Sequence, residues 1–511
     1  MNTGQKIIRG IIYNATGNIL VQSIGIITAV IIARTLGPEM QGTYVLILSI
    51  PITINIFITL GFNQGINRYI PALKGENREG LMKPLLRRIF LLRFALSILA
   101  ILLIFLFSGL IENLFNIEGW LDQQILALIA IYLCVINLSS ILGIILAVNY
   151  QQKWLNIANI ISAVVMLLGI LLLVFFDTMS VKSIMVVTII PQIITLALYT
   201  VIFKMTGMPA GSYTPEELTE YVRKFTRYSS IMYLVQLAGF VLAYRSDIYF
   251  IAYYLGATSV SFYSIANGIA EQSTGIFGSR ATGVMTVGAM TETYKKTGDK
   301  GLNTAFSYQL QFHLLHSIPI IFGGIYLTRD IIPVLYGDSF MPVVPLLMAL
   351  FLVRFFTGFG GSYSGVMVAI EKPQYFLWTK IISIINIPLN ILLIPQIGIM
   401  GAVIATAATQ FITLSTEIFL TLRIVSIQFP LKNLARMILC GCIMLLAVFL
   451  FRRFVIIDNT VLKLVIEILV GAMAYGLAVI NLDPLDKEIW NFIPEKLVLI
   501  LNKMRFGNRI R

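Results

Sequence analysis

The sequence predicts an all-α polytopic membrane protein with fourteen transmembrane helices, arranged as two repeated six-helix lobes plus two extra C-terminal helices. Of its 511 residues, 58% are hydrophobic and only 12% are charged, about half the charged share of a soluble domain. Apolar stretches of about 20 residues recur along the chain, which is the length that a helix needs to cross the hydrocarbon core. These stretches are continuously apolar instead of alternating, so they predict helices rather than the strands of a membrane barrel.

The fourteen stretches are joined by short connections, and no soluble domain is inserted between them. They lie at residues 11–33, 43–61, 89–111, 122–148, 155–176, 181–203, 229–255, 259–290, 304–328, 341–370, 375–397, 400–423, 434–456 and 461–480. Several are longer than a membrane crossing requires, so we expect those helices to tilt, kink or project beyond the membrane.

The positive charges predict the orientation of the chain. Twenty-six of the 37 Lys and Arg residues fall in the N-terminal arm, the loops after even-numbered stretches and the C-terminal tail, against six on the opposite side. Because positive loops stay inside, we expect a multi-pass protein of the cytoplasmic (cell) membrane with both termini in the cytoplasm. The net charge of +13 then reflects topology and contact with anionic lipid head groups, and it does not predict nucleic-acid binding.

Short segments of the two halves resemble each other at a nearly constant spacing. "ARTLGPEMQGTY" (33–44) matches "AYYLGATSVSFY" (252–263) at an offset of 219 residues, and residues 147–161 match 369–383 at an offset of 222. Such an offset corresponds to six predicted helices, which is an even number. The two halves would therefore share one orientation and be related by an axis along the membrane normal.

The predicted organisation follows from this repeat. It comprises an N-terminal lobe (1–204), a cytoplasmic linker (205–228), a C-terminal lobe (229–423), two appended helices (424–480) and a cytoplasmic tail (481–511). Inside the linker, Thr214-Pro215-Glu216-Glu217 has the pattern of a helix start, with a capping side chain, a proline in the first turn and acids near the positive end of the helix dipole. We expect an amphipathic helix that lies at the membrane surface and ties the lobes together.

Two charges inside one apolar stretch mark the first candidate site. Arg245 and Asp247 lie within "MYLVQLAGFVLAYRSDIYFIAYYLG" (232–256), and a charge at the bilayer centre costs about 2.5–3.5 kcal/mol. Two residues apart on a helix, these side chains point about 200° from each other and cannot pair directly. Each therefore needs a partner on another helix, water or a ligand.

Further charges in the second half extend this set. The candidate substrate-binding residues are Arg245, Asp247, Glu271, Arg280, Arg354 and Lys380. Two interpretations stay open: the charges neutralise one another and hold the lobe together, or the cations line a polar cavity for an anionic group. Phosphate is the natural candidate, because a guanidinium stays protonated and bonds two phosphate oxygens at once. Amide and hydroxyl side chains nearby, such as Gln236, Tyr249, Tyr263 and Asn267, would then meet glycosyl groups.

Sequence motifs of enzymes and metal centres are largely missing. There is no phosphate-binding G-x-x-x-x-G-K-[ST] loop and no H-E-x-x-H, and the three cysteines lie in apolar stretches without metal-ligand spacing. His313 and His316 share one helical face and are interpreted either as an interior pair or as a site for a proton or polar substrate. We expect no catalytic residue, no metal site and no ATP hydrolysis by this chain.

Several segments resemble a known family. "IIARTLGPEMQGTYVLILSI" with "LGFNQGINRYIPAL", "RSDIYFIAYYLGATSVSFYSIA", and "AIEKPQ" with "NIPLNILLIPQIGIMGAVIAT" resemble polysaccharide (oligosaccharide) flippases of the MOP superfamily, the Wzx type. The resemblance implies a V-shaped, MATE-like transporter fold. It also implies a non-enzymatic flippase that moves an isoprenoid-diphosphate-linked oligosaccharide to the outer leaflet by alternating access, for surface polysaccharide biosynthesis. Arg245 and Asp247 lie in a matching segment, whereas the other candidates rest on their burial in apolar stretches.

The resemblance also implies the partners. They are the lipid-linked oligosaccharide, membrane lipids and glycan-assembly proteins, with no nucleic acid and no cofactor, while a coupling ion (Na⁺ or H⁺) is left open. One alternative is an ion-coupled small-molecule antiporter of the MATE group, which would need clustered buried carboxylates. Another is a membrane polysaccharide polymerase or ligase, which would need a sizeable external loop. The first stretch lacks the buried arginine pair expected of lipid II flippases, which weakens a peptidoglycan-precursor substrate.

Overall fold

A computed structural model describes residues 3–207, 211–241, 244–275, 290–486 and 489. Within these ranges the chain forms sixteen α-helices and no strand, which confirms the all-α prediction. Eleven helices there are long and apolar enough to cross a membrane. The predicted number of fourteen is not confirmed, because some predicted stretches share one continuous helix and another is divided between two short ones.

The chain forms two compact units. The first comprises residues Met1–Ser264 and Asn390–Ala402, and the second comprises Ile265–Leu389 and Val403–Arg511. The helices of the first unit are α1 (Thr3–Ile58), α2 (Phe62–Gly75), α3 (Met82–Leu106), α4 (Ser108–Phe115), α5 (Gln123–Val148), α6 (Gln152–Phe175), α7 (Val181–Thr206) and α8 (Pro215–Val241). The unit boundary falls within α9 (Tyr244–Gly275). The predicted lobes were defined by the repeat rather than by contacts, and their boundaries stay a prediction.

The core of the first unit lies where α2, α3, α5 and α8 meet. Phe62 and Ile66 of α2 pack with Leu85 of α3, Ile141 of α5 and Phe225 of α8, and all five are buried. The short helix α2 has one apolar face because its buried residues recur three or four positions apart.

The second unit continues the helical pattern. Its helices are α10 (Asp299–Tyr336), α11 (Val343–Ala369), α12 (Pro373–Ile382), α14 (Ile399–Ile424), α15 (Leu431–Phe454) and α16 (Thr460–Leu482), and α13 (Asn386–Ile397) is divided between the units. A buried cluster that includes Phe306, Leu310, Tyr363 and Met437 forms its core. The predicted stretch at 375–397 is not one helix, because a 3-10 turn at Ser383–Ile385 separates α12 from α13.

Two glycines break long helices in the same way. Gly37 in α1 has φ 75° and ψ 174°, and Gly256 in α9 has φ 78° and ψ −179°. A side chain with a Cβ rarely adopts this backbone conformation, so glycine at both positions explains why the helix breaks there. The two residues lie 219 residues apart, at equivalent positions of the first predicted repeat, and the offset of 219 is confirmed.

Other breaks recur with a spacing of 221 residues. The paired positions with positive φ are Asn77 and Gly298, Asn116 and Gly337, Tyr150 and Glu371, and Asp177 and Gly398. The second predicted offset, 222, is therefore wrong by one residue. The matched segments span the turn between α5 and α6 and the turn between α11 and α12, and four identities do not fix their alignment to one residue, whereas the backbone marks the ends of the helices directly. The two halves of the chain thus repeat one succession of helices and turns.

The linker helix α8 begins as predicted but does not stop at residue 228. Thr214 caps it: the Thr214 amide donates to Glu217 Oε2 at 3.0 Å, and the Glu217 amide donates to Thr214 Oγ1 at 3.2 Å, which is a reciprocal capping box. From Pro215 the helix continues without interruption to Val241, into the seventh predicted stretch. The linker is therefore the first half of a longer helix.

Candidate functional site

The structure describes the side chains of three of the six predicted site residues. Asp247, Glu271 and Arg354 are placed. Arg280 lies outside the described residues. Arg245 and Lys380 lie on helices α9 and α12, but their side chains are outside the described part of the structure. The role predicted for these last three residues stays a prediction.

Asp247 is held in the interior of the first unit by neutral hydrogen-bond donors. It lies near the start of α9, and it is only 1% exposed. Tyr263 Oη donates to Asp247 Oδ2 at 2.6 Å, and Asn390 Nδ2 donates to Oδ1 at 2.8 Å. Asp247 and Tyr263 flank the break at Gly256, so the carboxylate connects the two segments of α9 and fixes them to α13.

Asn390 was missed at the sequence level, although a signal for it exists. "NIPLNILLIPQ" places Asn386 and Asn390 one turn apart inside an apolar stretch, and both amides are almost fully buried. In the second unit, Asn386 Nδ2 donates to Thr406 Oγ1 at 3.4 Å. Buried amides in an apolar helix need partners, so the spacing alone could have predicted a polar site on this helix.

Arg354 and Glu271 are brought together in the second unit. Arg354 Nη2 lies 3.8 Å from Glu271 Oε2, and it donates to Asn267 Oδ1 at 2.7 Å. The Arg354 side chain is 25% exposed and that of Glu271 is 32% exposed, so this pair lies at an accessible surface of the second unit. A single contact at 3.8 Å is far from the bidentate geometry of a strong Arg–carboxylate pair.

The same group presents two buried donors that no protein atom accepts. They are Arg354 Nε and Asn267 Nδ2, and Asn267 is only 2% exposed. A buried donor left unsatisfied costs about 1–3 kcal/mol, so such atoms in a native protein call for an explanation. Guanidinium and amide N–H groups side by side suit an oxygen-rich anion, because such an anion accepts several hydrogen bonds at once. We call Arg354, Asn267 and Glu271 the Arg354 cluster.

Some polar side chains that were expected to meet sugars instead join helices of the first unit. Tyr249 Oη donates to Thr53 Oγ1 at 2.8 Å, and Gln236 Nε2 donates to Thr59 Oγ1 at 3.0 Å. These bonds connect α1 to α9, and the residue that follows α1 to α8. In a membrane, interhelical hydrogen bonds of this kind contribute about 0.6–2 kcal/mol each, so these two residues have a structural role that the sequence pattern did not reveal.

The histidines of α10 belong to the interior of the second unit. His313 Nδ1 lies 3.2 Å from Ser317 Oγ, and His316 Nδ1 lies 2.8 Å from the Phe312 carbonyl oxygen. The His313 ring also lies against Gly358 of α11, where a built Cβ would come within 1.7 Å of Nε2. This packing favours the interior-pair interpretation over a site for substrate.

Arg93 is a buried charge that the sequence prediction did not use. It is 0% exposed, and its partners are neutral: Nη1 donates to Asn63 Oδ1 at 2.9 Å, and Nη2 donates to Ser140 Oγ at 2.8 Å. Arg93 makes no ion pair with any described residue. It therefore joins α3 to α2 and α5 through polar groups of the helix interior.

Comparison with known proteins places this arrangement in a family. Residues 7–286 match the family described as "Polysaccharide biosynthesis protein". The chain belongs to this family. A protein of Methanocaldococcus jannaschii described as an uncharacterized membrane protein is 23% identical over 501 residues, covering 94% of this chain and 96% of that protein. The family resemblance predicted from the sequence is confirmed.

Solved structures show the fold of this chain. A lipid II flippase MurJ in an inward closed conformation matches with a TM-score of 0.70 and 20% identity, covering 92% of this chain and 98% of that one. An inward-facing multidrug resistance MATE family transporter of the MOP superfamily matches with a TM-score of 0.59 and 15% identity, covering 79% and 94%. The predicted MATE-like fold of a multi-pass membrane protein is confirmed.

Proposed function

We propose that this polysaccharide biosynthesis protein is a flippase that moves an isoprenoid-diphosphate-linked oligosaccharide across the cytoplasmic membrane by alternating access. The observation that carries the proposal is the Arg354 cluster, in which a guanidinium and a buried amide offer N–H donors that no protein acceptor uses. Family membership supports a role in polysaccharide synthesis. The flippase named among the similar structures supports transport of a lipid-linked substrate rather than enzymatic chemistry.

The diphosphate is the part of such a substrate that the Arg354 cluster fits. Its oxygens accept hydrogen bonds in the planar geometry that a guanidinium offers, and each bond to a charged group contributes about 1.5–3 kcal/mol. Glu271, at 3.8 Å from Nη2, holds Arg354 too weakly to occupy its donors. In this mechanism Arg354 exchanges its contact with Glu271 for contacts with phosphate when the substrate arrives.

The membrane topology completes the proposal. Fourteen crossings result if α1 crosses twice with a turn at Gly37, if α8 and the part of α9 before Gly256 together form one crossing and the rest of α9 forms the next, and if α12 with α13 forms one. The other long helices of the described chain then cross once each. The repeating breaks support two lobes of six crossings in one orientation, with two appended helices. Both termini are then cytoplasmic, in agreement with the positive loops.

A coupling cation is proposed to act at Asp247. The Asp247 carboxylate, the Asn390 amide and the Tyr263 hydroxyl lie together in the interior of the first unit, and hard oxygen ligands of this kind suit Na⁺, while the carboxylate alone suits H⁺. An ion-coupled antiporter of the MATE type stays the second candidate. Among the described residues no group of three or more His, Cys, Asp and Glu side chains lies together, so Asp247 is a single buried acid and not the cluster that such an antiporter would need.

Transport by purified protein in vesicles tests the proposal. We expect wild-type protein to flip a fluorescent isoprenoid-diphosphate oligosaccharide and Arg354→Gln to flip it at least tenfold more slowly, because a lost charge-assisted bond of about 1.5 kcal/mol corresponds to that factor. Arg453→Gln, which removes an exposed arginine of the same unit, is the control and should flip at the wild-type rate.

The same vesicles separate the candidates. Flipping of the lipid-linked oligosaccharide without export of small organic cations supports the flippase, whereas gradient-dependent cation export without lipid flipping supports the antiporter. Flipping that does not respond to a Na⁺ or H⁺ gradient would exclude the coupling cation at Asp247. Glycosyl transfer by the purified protein would instead favour a polymerase or ligase. Equal flipping by wild-type protein and Arg354→Gln would remove the Arg354 cluster from the substrate path.

A further inference from the structure

Helix α3 presents three exposed cations at its N-terminal end. Lys83, Arg87 and Arg88 are all exposed, and none of them forms an ion pair with any residue that the structure describes. Nearby cations differ in this respect, because Arg78 pairs with Glu217 at 3.0 Å and Lys224 pairs with Glu220 at 2.6 Å. The nearby acids Glu217 and Glu220 are thus paired with other cations, and Glu79, four residues before Lys83, forms no ion pair with any of the three among the described contacts.

An apolar stripe continues from these cations along the helix. Residues three or four positions apart share a face of a helix, and Lys83, Arg87, Leu91, Phe94 and Ile98 follow one another at that spacing. Leu91 is 55% exposed, Phe94 is 48% exposed and Ile98 is 45% exposed. The opposite face of α3 is buried in the first unit, and its residues are Met82, Leu85, Ile89, Arg93 and Ser97.

The dimensions of this face match one leaflet of a bilayer. At 1.5 Å per residue, the distance along the axis from Arg87 to Ile98 is about 16 Å, and half of the hydrocarbon core is about 15 Å thick. A head group held by the cations would therefore let an acyl chain lie along the whole stripe.

We propose that this surface binds an anionic phospholipid of the bilayer, with its phosphate at Lys83, Arg87 and Arg88 and an acyl chain along Leu91, Phe94 and Ile98. Charge complementarity selects an anionic over a zwitterionic lipid, because each Lys or Arg near the membrane surface strengthens attraction to anionic lipid severalfold. The site lies on the outer face of α3, away from Arg354 in sequence and in unit, and it does not depend on the proposed function.

Native mass spectrometry of the full chain in detergent tests the site, with phosphatidylglycerol and phosphatidylcholine as probes. We expect wild-type protein to retain phosphatidylglycerol at least tenfold better than phosphatidylcholine. The triple variant Lys83→Gln, Arg87→Gln, Arg88→Gln should lose that preference. The matched control Lys224→Gln, Lys295→Gln, Lys296→Gln removes the same charge from cations that are already paired with acids, and it should keep the preference.

Two further measurements keep the proposal falsifiable if the triple variant does not fold. The preference of the wild-type protein for phosphatidylglycerol should fall as salt rises from about 50 to about 500 mM, since salt screens exposed charges. The double variant Arg87→Lys, Arg88→Lys should retain this preference because both positive charges are kept. Equal retention of both lipids by wild-type protein, or equal loss in the matched control, would overturn the proposal. Displacement of phosphatidylglycerol by a small molar excess of an isoprenyl diphosphate would assign the surface to the transported lipid instead.

Discussion

Gly42 offers a test of how closely the first halves of the two repeats pack. It lies in α1, five residues after the break at Gly37, and it is buried. A Cβ built on Gly42 would lie 1.8 Å from the carbonyl oxygen of Ala257 and 2.6 Å from its carbonyl carbon. Ala257 directly follows the break at Gly256, so α1 and α9 approach each other through backbone atoms just beyond their equivalent turns.

The magnitude of the effect follows from this distance. A carbon and a carbonyl oxygen in contact are about 3.3 Å apart or more, so Gly42→Ala forces α1 and α9 apart by about 1.5 Å. Neither obstacle is a flexible side chain, because both contacts are with the backbone of Ala257. Overpacking of this kind costs about 1–3 kcal/mol, and we expect Gly42→Val to cost more.

Gly25 is the matched control, because it lies in the same helix and a Cβ built on it meets no atom within 4 Å. Alanine favours a helix over glycine by about 0.5–1 kcal/mol, so Gly25→Ala should stabilise the protein slightly. The assay is the free energy of unfolding in mixed micelles of mild detergent and SDS, measured for both variants. Equal stability of Gly42→Ala and Gly25→Ala would show that the close approach of α1 and α9 is not present in the protein.

Three further predictions concern ion pairs and buried charge. Glu467 is 1% exposed and accepts two hydrogen bonds from Arg452. Arg452→Met leaves it as a buried acid without this partner, so the free energy of unfolding should fall by about 3–5 kcal/mol. The double variant with Glu467→Met should recover most of this loss in a double-mutant cycle. The pKa of Glu217 is lowered, first by the hydrogen bond that its carboxylate accepts from the Thr214 amide and then by Arg78. The ionised carboxylate therefore stabilises the start of α8 above the unfolded pKa of about 4.3. This stabilisation is lost as the pH falls through the lower pKa of the folded state. The protection of the amides in the first turn of α8, measured as their exchange rate relative to that of an unstructured chain at the same pH, should fall below about pH 4 in the wild type and should not change with pH in Glu217→Gln. Arg93→Ala removes a 0% exposed side chain and should cost about 3–5 kcal/mol, whereas Arg87→Ala on the exposed face should stay within about 0.5 kcal/mol.

Each of these predictions has an outcome that contradicts it. A coupling energy near zero between Arg452 and Glu467 would show that the pair does not stabilise α15 and α16. Protection against exchange in the first turn of α8 that is independent of pH in the wild type would exclude the capping role of Glu217. Equal losses for Arg93→Ala and Arg87→Ala would mean that the burial of Arg93 does not stabilise α3.

The regular features of the fold could be predicted because they depend on local chemistry. Continuous apolar stretches are sufficient to predict membrane helices, and Thr214-Pro215 marks the start of α8 through its capping pattern. The breaks at Gly37 and Gly256 follow from residues that tolerate positive φ. The end of the linker at residue 228 was not predictable in the same way, because α8 continues through a change of composition that no capping residue marks.

The candidate site could be predicted only in part, since its partners come from distant elements. Charge within apolar stretches identified Asp247 and Arg354, but nothing in the sequence joins Asp247 to Asn390, which follows 143 residues later. The Arg354 partner Asn267 was expected to meet sugars, and its contact with the guanidinium depends on how α9 and α11 pack. Arg93 was overlooked because an arginine near the end of a stretch is usually held at the membrane surface, whereas here it is enclosed by α2, α3 and α5.

Binding of the lipid-linked substrate to purified protein tests the central claim most directly. The dissociation constant for an isoprenoid-diphosphate oligosaccharide should rise at least tenfold in Arg354→Gln and remain unchanged in Arg453→Gln, because Arg354 belongs to the cluster whose buried N–H donors no protein atom accepts, whereas Arg453 is an exposed arginine outside it. The same lipid with its diphosphate replaced by a neutral linker should bind wild-type protein and Arg354→Gln equally weakly. An Arg354→Gln variant that binds the diphosphate lipid as tightly as the wild type would contradict the account.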